Sequence, residues 1–340
     1  LIAFYTDSFV LPLPEGHRFP MVKYRRLRER CVAEGVLGDG ELCLPEAASW
    51  EELALVHGGE YLDRVRTGGL TPAEQRRIGF PWSLEMVERS RRSVGGTIGA
   101  AREALGEGDG SGWGEGDGSG WGVAVNRSEA EVDGRRSGWG VAVNLAGGTH
   151  HAYPDHGEGF CVFNDAAVAV RVHQRAGRIA RALVVDCDVH QGNGTAAVFR
   201  TDPTVFTFSI HGARNFPFRK VPSALDIALP DGAGDETFLA ALDLHLPHLL
   251  EDFAPDLVVY LSGADPFGDD RFGRLSLTKA GLAARDRLVL GLCRDRRTPT
   301  AVVMAGGYAR DTEDTVDIHL ATVRIAAELA GSVATPAAGD

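Results

Sequence analysis

From Met21 the apolar residues fall at Met21, Tyr24, Leu27 and Cys31, one stripe of a helix with basic residues between them, and Gly35 stops it. The patterns SWEELALVH and EYLDRVR read as shorter helical pieces. A longer helix is predicted after Pro81-Trp82-Ser83, where Ser83 can cap the first turn and Glu85 meets its dipole; it fades near Leu105. Beyond Ala180 the texture changes. Short apolar runs (ALVVDCDV, TVFTFSI, DLVVYL, TAVVMAG) alternate with amphipathic stretches (DETFLAALDLHLPHLL, LTKAGLAARDRLVLGLC). Runs that are apolar at almost every position fit strands covered on both faces, so the alternation predicts an α/β fold, a mainly parallel sheet between two helical layers. In such a sheet the ligand crevice lies beyond the carboxyl ends of the strands, which places the chemistry in the residues after each run.

Residues 106–144 break this rhythm. GEGDGSGW occurs at 106–113 and again at 114–121, and SGWGVAVN at 119–126 and again at 137–144. The units are too short and glycine-rich to stack as a repeat architecture. A flexible, solvent-exposed insert over 106–136 is therefore expected within one domain spanning 1–330, followed by a frayed tail at 331–340. Only the second GVAVN copy runs on into LAGGTHH, so it should take the strand position.

Composition narrows the field. With 340 residues and 44% apolar content the chain can bury a large core, which excludes intrinsic disorder as a class. A net charge of −12 repels a phosphate backbone and argues against nucleic acid, while mildly favouring cationic ligands. The five cysteines, Cys31, Cys43, Cys161, Cys187 and Cys293, are scattered and contain no CxxC pair, so buried, reduced thiols in a cytoplasmic protein are expected rather than disulfides or a thiolate zinc site. No apolar run reaches the roughly 18 residues of a membrane span. The chain begins at Leu1, so a start lying further upstream is expected. Oligomeric state is not legible.

The strongest chemical signal is VVDCDVHQGNG at 184–194. Strand periodicity puts Asp186, Asp188 and His190 on one side, where two carboxylates and an imidazole could bind a divalent cation; a solvated strand end or helix caps are the ordinary alternative. DLVVYLSGAD ends in Asp265 and MAGGY places Tyr308 at an equivalent edge. Each alone reads as a cap or a surface phenol, and their shared position is what raises them. In GGTHHAY, His150 and His151 can serve one site only in an irregular loop, which Gly147 and Gly148 permit. Two Asp and one His would leave a metal open positions for water and substrate, with the histidine pair supplying acid–base function.

At this point the chain, outside the insert and the tail, resembles the histone deacetylase family, most closely its class IV and bacterial branch. The resemblance is carried by LPEGHRFPM, GGTHHAYPDHGEGFCVFND, VDCDVHQGNGT, FSIHGARNFPFRK, LSGADP and MAGGY. It implies an arginase-like three-layer fold and a zinc site (iron(II) being the alternative metal) made by Asp188, His190 and Asp265. It further implies that Asp186 holds His150, that His151 is the general acid–base, and that Tyr308 hydrogen-bonds the amide carbonyl. Gly159 and Phe160 would form one wall of an acyl-lysine channel, with Phe216 opposite, and Gly307 and His17 are expected to border the pocket. A monovalent cation such as potassium is implied near Ser209. The implied substrate is an acylated lysine on a protein, or a small acylated amine, hydrolysed to amine and carboxylate.

Two positions depart from the class I and II pattern and agree with class IV: Gln191 replaces a second histidine and Asn193 replaces the aspartate that pairs with the acid–base histidine. An amide lacks the charge that would raise the imidazole pKa, so His151 is expected to be neutral at pH 7. Of the other histidines, His173, His245 and His248 are expected at the surface or half-buried, and His156 and His211 in loops near the site without a role. A binuclear manganese ureohydrolase would need a different carboxylate order. An acetylpolyamine deacetylase and a silent acyl-lysine binding module remain the alternatives.

Overall fold

The computed structural model describes residues 1–106 and 139–331. The duplicated insert, its first GVAVN copy and the tail lie outside the described residues, apart from the edges of those segments. Among the described residues eight strands form one parallel sheet: β1 (Ile2–Phe4), β2 (Leu42–Cys43), β3 (Val141–Asn144), β4 (Ala182–Asp186), β5 (Val205–Gly212), β6 (Leu225–Leu229), β7 (Leu257–Leu261) and β8 (Thr300–Val303). Their spatial order is β2-β1-β3-β8-β7-β4-β5-β6, and every pairing is parallel. The second GVAVN copy does supply β3.

The strands are apolar throughout because both faces are covered. Alternate residues Leu183, Val185, Val258, Tyr260 and Val302 face one layer, with Leu27 from α1 (Val22–Ala33), Phe238 from α8 (Asp235–His248), Leu282 and Val289 from α9 (Lys279–Asp295) and Val316 from α10 (Thr312–Leu329). The intervening Ala182, Val184, Leu257, Val259 and Ala301 face α5 (Leu84–Ala104), α6 (Asp165–Arg175) and α7 (Asn193–Phe199). A third cluster joins the short helices α2 (Trp50–Leu53), α3 (Gly59–Thr67) and α4 (Pro72–Ile78) to the start of α5. Ser83 caps α5 by accepting from the Met86 amide, as its position predicts.

Several expectations change. Strand β4 stops at Asp186, so the period-two placement of Asp188 and His190 fails; both lie in the turn that follows. Strands β1, β2 and β6 were not anticipated: β1 and β2 are only three and two residues long, and β6 is a partly uncovered edge strand. Helix α4 also escaped the pattern, although Thr71 and Glu74 form a capping box around Pro72. His173 is fully buried, because it faces α5 and bonds the Ile98 carbonyl at 3.2 Å. His211 is in β5 rather than a loop, also buried, with Nδ1 3.0 Å from Ser209 Oγ. His245 is half-buried and His248 exposed, as expected.

Candidate active site

Strands β3, β8, β7 and β4 are neighbours at the centre of the sheet, and the turns leaving their carboxyl ends carry the candidate residues. His150 and His151 follow β3, Tyr308 follows β8, Asp265 follows β7, and Asp188 and His190 follow β4. Residues more than 150 positions apart therefore meet because their strands do.

Asp188, His190 and Asp265 are all buried, and one donor atom from each lies within 4.8 Å of the others. Backbone amides fix one oxygen of Asp265 and both of Asp188: Asp265 Oδ1 accepts from Val189 at 2.9 Å, Asp188 Oδ2 from Gly306 at 2.8 Å and Asp188 Oδ1 from His190 at 2.8 Å. Asp265 Oδ2 is buried without a hydrogen-bond partner, 3.2 Å from His190 Nδ1. Burial opposes charge on His190, yet Asp188 and Asp265 outweigh it and push its pKa up to about 10. Two carboxylates, one orphaned oxygen and an imidazole that draw positive charge into a dry pocket fit a divalent cation. Gly306 lets the turn close over them, since a Cβ there would stand 1.9 Å from Asp265 Oδ2.

Positive φ at Gly147 and Gly148 makes the irregular loop that turns both histidines inward, with ring centroids 4.1 Å apart. His150 Nδ1 is 2.7 Å from Asp186 Oδ2, itself buried. Burial disfavours the imidazolium of His150, but Asp186 and then Asp188 prevail and raise its pKa to about 9. His151 has the opposite fate: burial, then His150 and His190, hold it well below the usual histidine value. Its Nδ1 donates to Asn193 Oδ1 at 2.6 Å, which leaves Nε2 unprotonated.

His150, His151, Asp188 and His190 form the floor of a cavity of about 730 Å³, whose walls include Phe19, Phe160, Phe216, Phe272 and Tyr308. Phe160 adopts φ 65°, rare for an aromatic residue, and Gly159 beside it would drive a Cβ to 2.7 Å from His151 Cδ2. The Tyr308 ring packs 4.9 Å from Phe272 and 5.9 Å from Phe160; burial and the carboxylates of Asp265 and Asp188 keep its phenol protonated. Asp270 receives the Tyr308 amide at 2.6 Å and so fixes where the phenol stands.

The sequence matches the histone deacetylase domain family over residues 17–323. The chain belongs to the histone deacetylase family. It is 42% identical over 315 residues to an uncharacterized protein of Picosynechococcus, covering 93% of this chain and 94% of that one. Histone deacetylase 2 of Arabidopsis thaliana is 27% identical over 91% of this chain and 73% of its own. The fold matches a crystal structure of a histone deacetylase homologue from Aquifex aeolicus with a TM-score of 0.76 at 22% identity, covering 98% and 84% of the two chains. Membership makes this protein an amidohydrolase of the histone deacetylase kind.

Within this site Gln191 is buried and turned away from the histidines, its side chain tied to the Val221 backbone and to Asp226. His17 and Gly307 are not among the residues that line the cavity. His17 braces it from behind, bonding the Gly79 carbonyl and the Phe19 amide 6.0 Å from the Phe160 ring. The Gly307 carbonyl accepts from Lys23, which is only 2% exposed and lies 5.2 Å from the Tyr308 ring centroid. Lys23 was not anticipated, and neither was Arg285. That guanidinium is fully buried beside Asp286 and donates to the carbonyls of Cys187, Ser262 and Gly263, joining the turns that carry Asp188 and Asp265. Among the described residues no helix is long and apolar enough to cross a membrane.

Proposed function

We propose that this protein is a zinc-dependent deacylase of the class IV type, hydrolysing N-acyl-lysine amides to lysine and carboxylate. The observation that carries the reading is that Asp188, His190, His151 and Tyr308 line one cavity, with Asp265 grouped against Asp188 and His190 and Asn193 bonded to His151. A zinc ion held by those three residues would supply Lewis acidity to the amide carbonyl and the attacking water. Neutral His151 accepts a proton from that water at Nε2 while Asn193 holds Nδ1–H. The water oxygen bonds to the carbonyl carbon, and the Tyr308 hydroxyl donates to the oxygen that gains charge. The C–N bond then breaks, His151 returns its proton to the leaving amine, and a carboxylate and a primary amine depart. His150, kept cationic by Asp186, contributes fixed positive charge beside the reacting centre.

Gly159 and Phe160 act in this reading as one channel wall and Phe216 as the opposite one. A monovalent cation near Ser209 and residence in the cytoplasm belong to the same proposal, the latter supported by five free thiols. The binuclear alternative has no counterpart among the described residues, where one three-ligand group is found. The test is deacylation of a lysine panel from acetyl to myristoyl by the zinc-loaded protein, with Tyr308→Phe as control. Turnover should fall about 10²–10³-fold in the variant, chiefly in kcat, as for loss of an oxyanion donor. Absence of turnover on every acyl-lysine despite one bound metal would favour a small-amide substrate or a silent binding module.

Asn193 makes a second prediction. The base must be neutral to act, so the rate falls as pH drops through the His151 pKa, which burial and then His150 and His190 hold low. Asn193→Asp places a carboxylate on Nδ1 and favours the imidazolium. The acidic limb of kcat/KM should therefore move to higher pH, and an unmoved limb would exclude Asn193 as the residue that sets it.

A further inference from the structure

The chain carries a net charge of −12, yet the cavity that leads to its candidate site is lined by Arg18, Arg77, Arg214, Arg271 and Arg274. All five are exposed. Of the lining carboxylates, Asp188 belongs to the donor group on the floor; at the mouth, against these five guanidinium groups, stand Glu158 and Asp231, which pairs with Arg214 at 2.7 Å and Arg274 at 3.3 Å. Three positive charges are left over. Glu158 is itself drawn to His156 at 3.7 Å. Arg18 and Arg77 have no ion pair with any described residue, and Arg271 is oriented by donating Nε to the Tyr308 carbonyl at 3.0 Å. The arginines come from four separate segments: the one before α1, the end of α4, and the turns after β5 and β7. Phe218, 89% exposed, stands beside them with its ring 6.3 Å from that of Phe216.

We infer that this rim selects an acyl-lysine flanked by acidic residues in a peptide or protein, and works against polycationic amines. The inference rests on the deacylase reading above. An acyl group that reaches the floor between Phe160 and Phe216 leaves the lysine backbone and its neighbours at the mouth, within reach of the guanidinium groups. Carboxylates there accept the fork of N–H donors that arginine presents, whereas the further ammonium groups of a polyamine meet three uncompensated positive charges. The acidic bulk of the molecule therefore misleads about its substrate, because the nearby field at the opening has the opposite sign.

The test uses three peptides of one sequence, each with a central acyl-lysine carrying the group preferred in the panel, flanked by aspartates, serines or arginines, together with an acetylated polyamine. At about 0.05 M salt kcat/KM should be about tenfold or more higher for the aspartate peptide than for the arginine peptide, and the ratio should shrink towards one at about 0.5 M salt. Arg18→Glu with Arg77→Glu should compress or invert the ratio, as should the milder Arg18→Gln with Arg77→Gln. A ratio of two substrates does not depend on the fraction of folded enzyme. Equal rates, faster arginine peptide, or better turnover of the polyamine would overturn the inference. Fluorescence anisotropy with the same peptides separates the two readings. Selective binding of the aspartate peptide without turnover would support the rim and defeat the deacylase, while turnover without selectivity would do the reverse.

Discussion

Asp265→Asn should give a folded protein that holds well under one zinc per chain and turns over acyl-lysine at least about 10³-fold more slowly, since a Lewis-acidic ion supplies several kcal/mol to such a step. Asp265 is the residue to change because its two oxygens have separate duties. Oδ1 accepts from the Val189 amide and holds the turn, and an asparagine oxygen can keep that bond. Oδ2 faces the donor group with no hydrogen-bond partner of its own, and there the substitution removes the charge. A carboxamide oxygen is a poor zinc ligand beside a carboxylate. The loss should also appear where activity is not measured, as reduced metal by elemental analysis and as partial recovery of turnover in excess zinc. Full metal occupancy with full activity would show that Asp265 is not a ligand.

How far this arrangement was legible in the sequence depends on whether a residue acts through its neighbours in the chain or across the sheet. The central strands were readable because both their faces are covered, so their apolar runs stand out. Strands β1 and β2 have too few residues to declare a period, and β6, as long as β4, is an edge strand left largely uncovered, so its run LDIAL is not continuously apolar. The motif residues were found because each sits in the turn that follows a strand, and the family pattern supplied Asp186 and Asn193 as partners of the two histidines; the buried charges that brace those turns were not found. Lys23 was passed over as one of the basic residues of the first helix, although it lies four positions before Leu27 on the same face. Arg285 and Asp286 occupy the third and fourth positions after Leu282 on the buried stripe of α9, which a search for charges on an apolar face would have caught. The arginine rim had no local signal. Its members come from four separate segments, and only folding assembles them against the sign of the overall charge.

The histidine pair gives the second large effect. His151→Ala should lower kcat about 10²–10⁴-fold, the range for loss of a general base, with bound metal and KM little changed. His150→Ala should register differently. Its imidazolium is held by Asp186 at 2.7 Å in a fully buried pair, and removing one partner leaves a carboxylate without its counter-charge, which costs about 3–5 kcal/mol of stability. His151 pairs with a neutral amide, so its removal strands no charge and the thermal midpoint should move much less. The two variants thus separate the base from the fixed charge by melting temperature as well as by rate. Imidazole added to His151→Ala can enter the space left on the cavity floor and should restore part of the turnover. Equal rate losses with equal melting shifts, and no rescue, would mean that the two rings act as one unit and that assigning the proton to His151 is wrong.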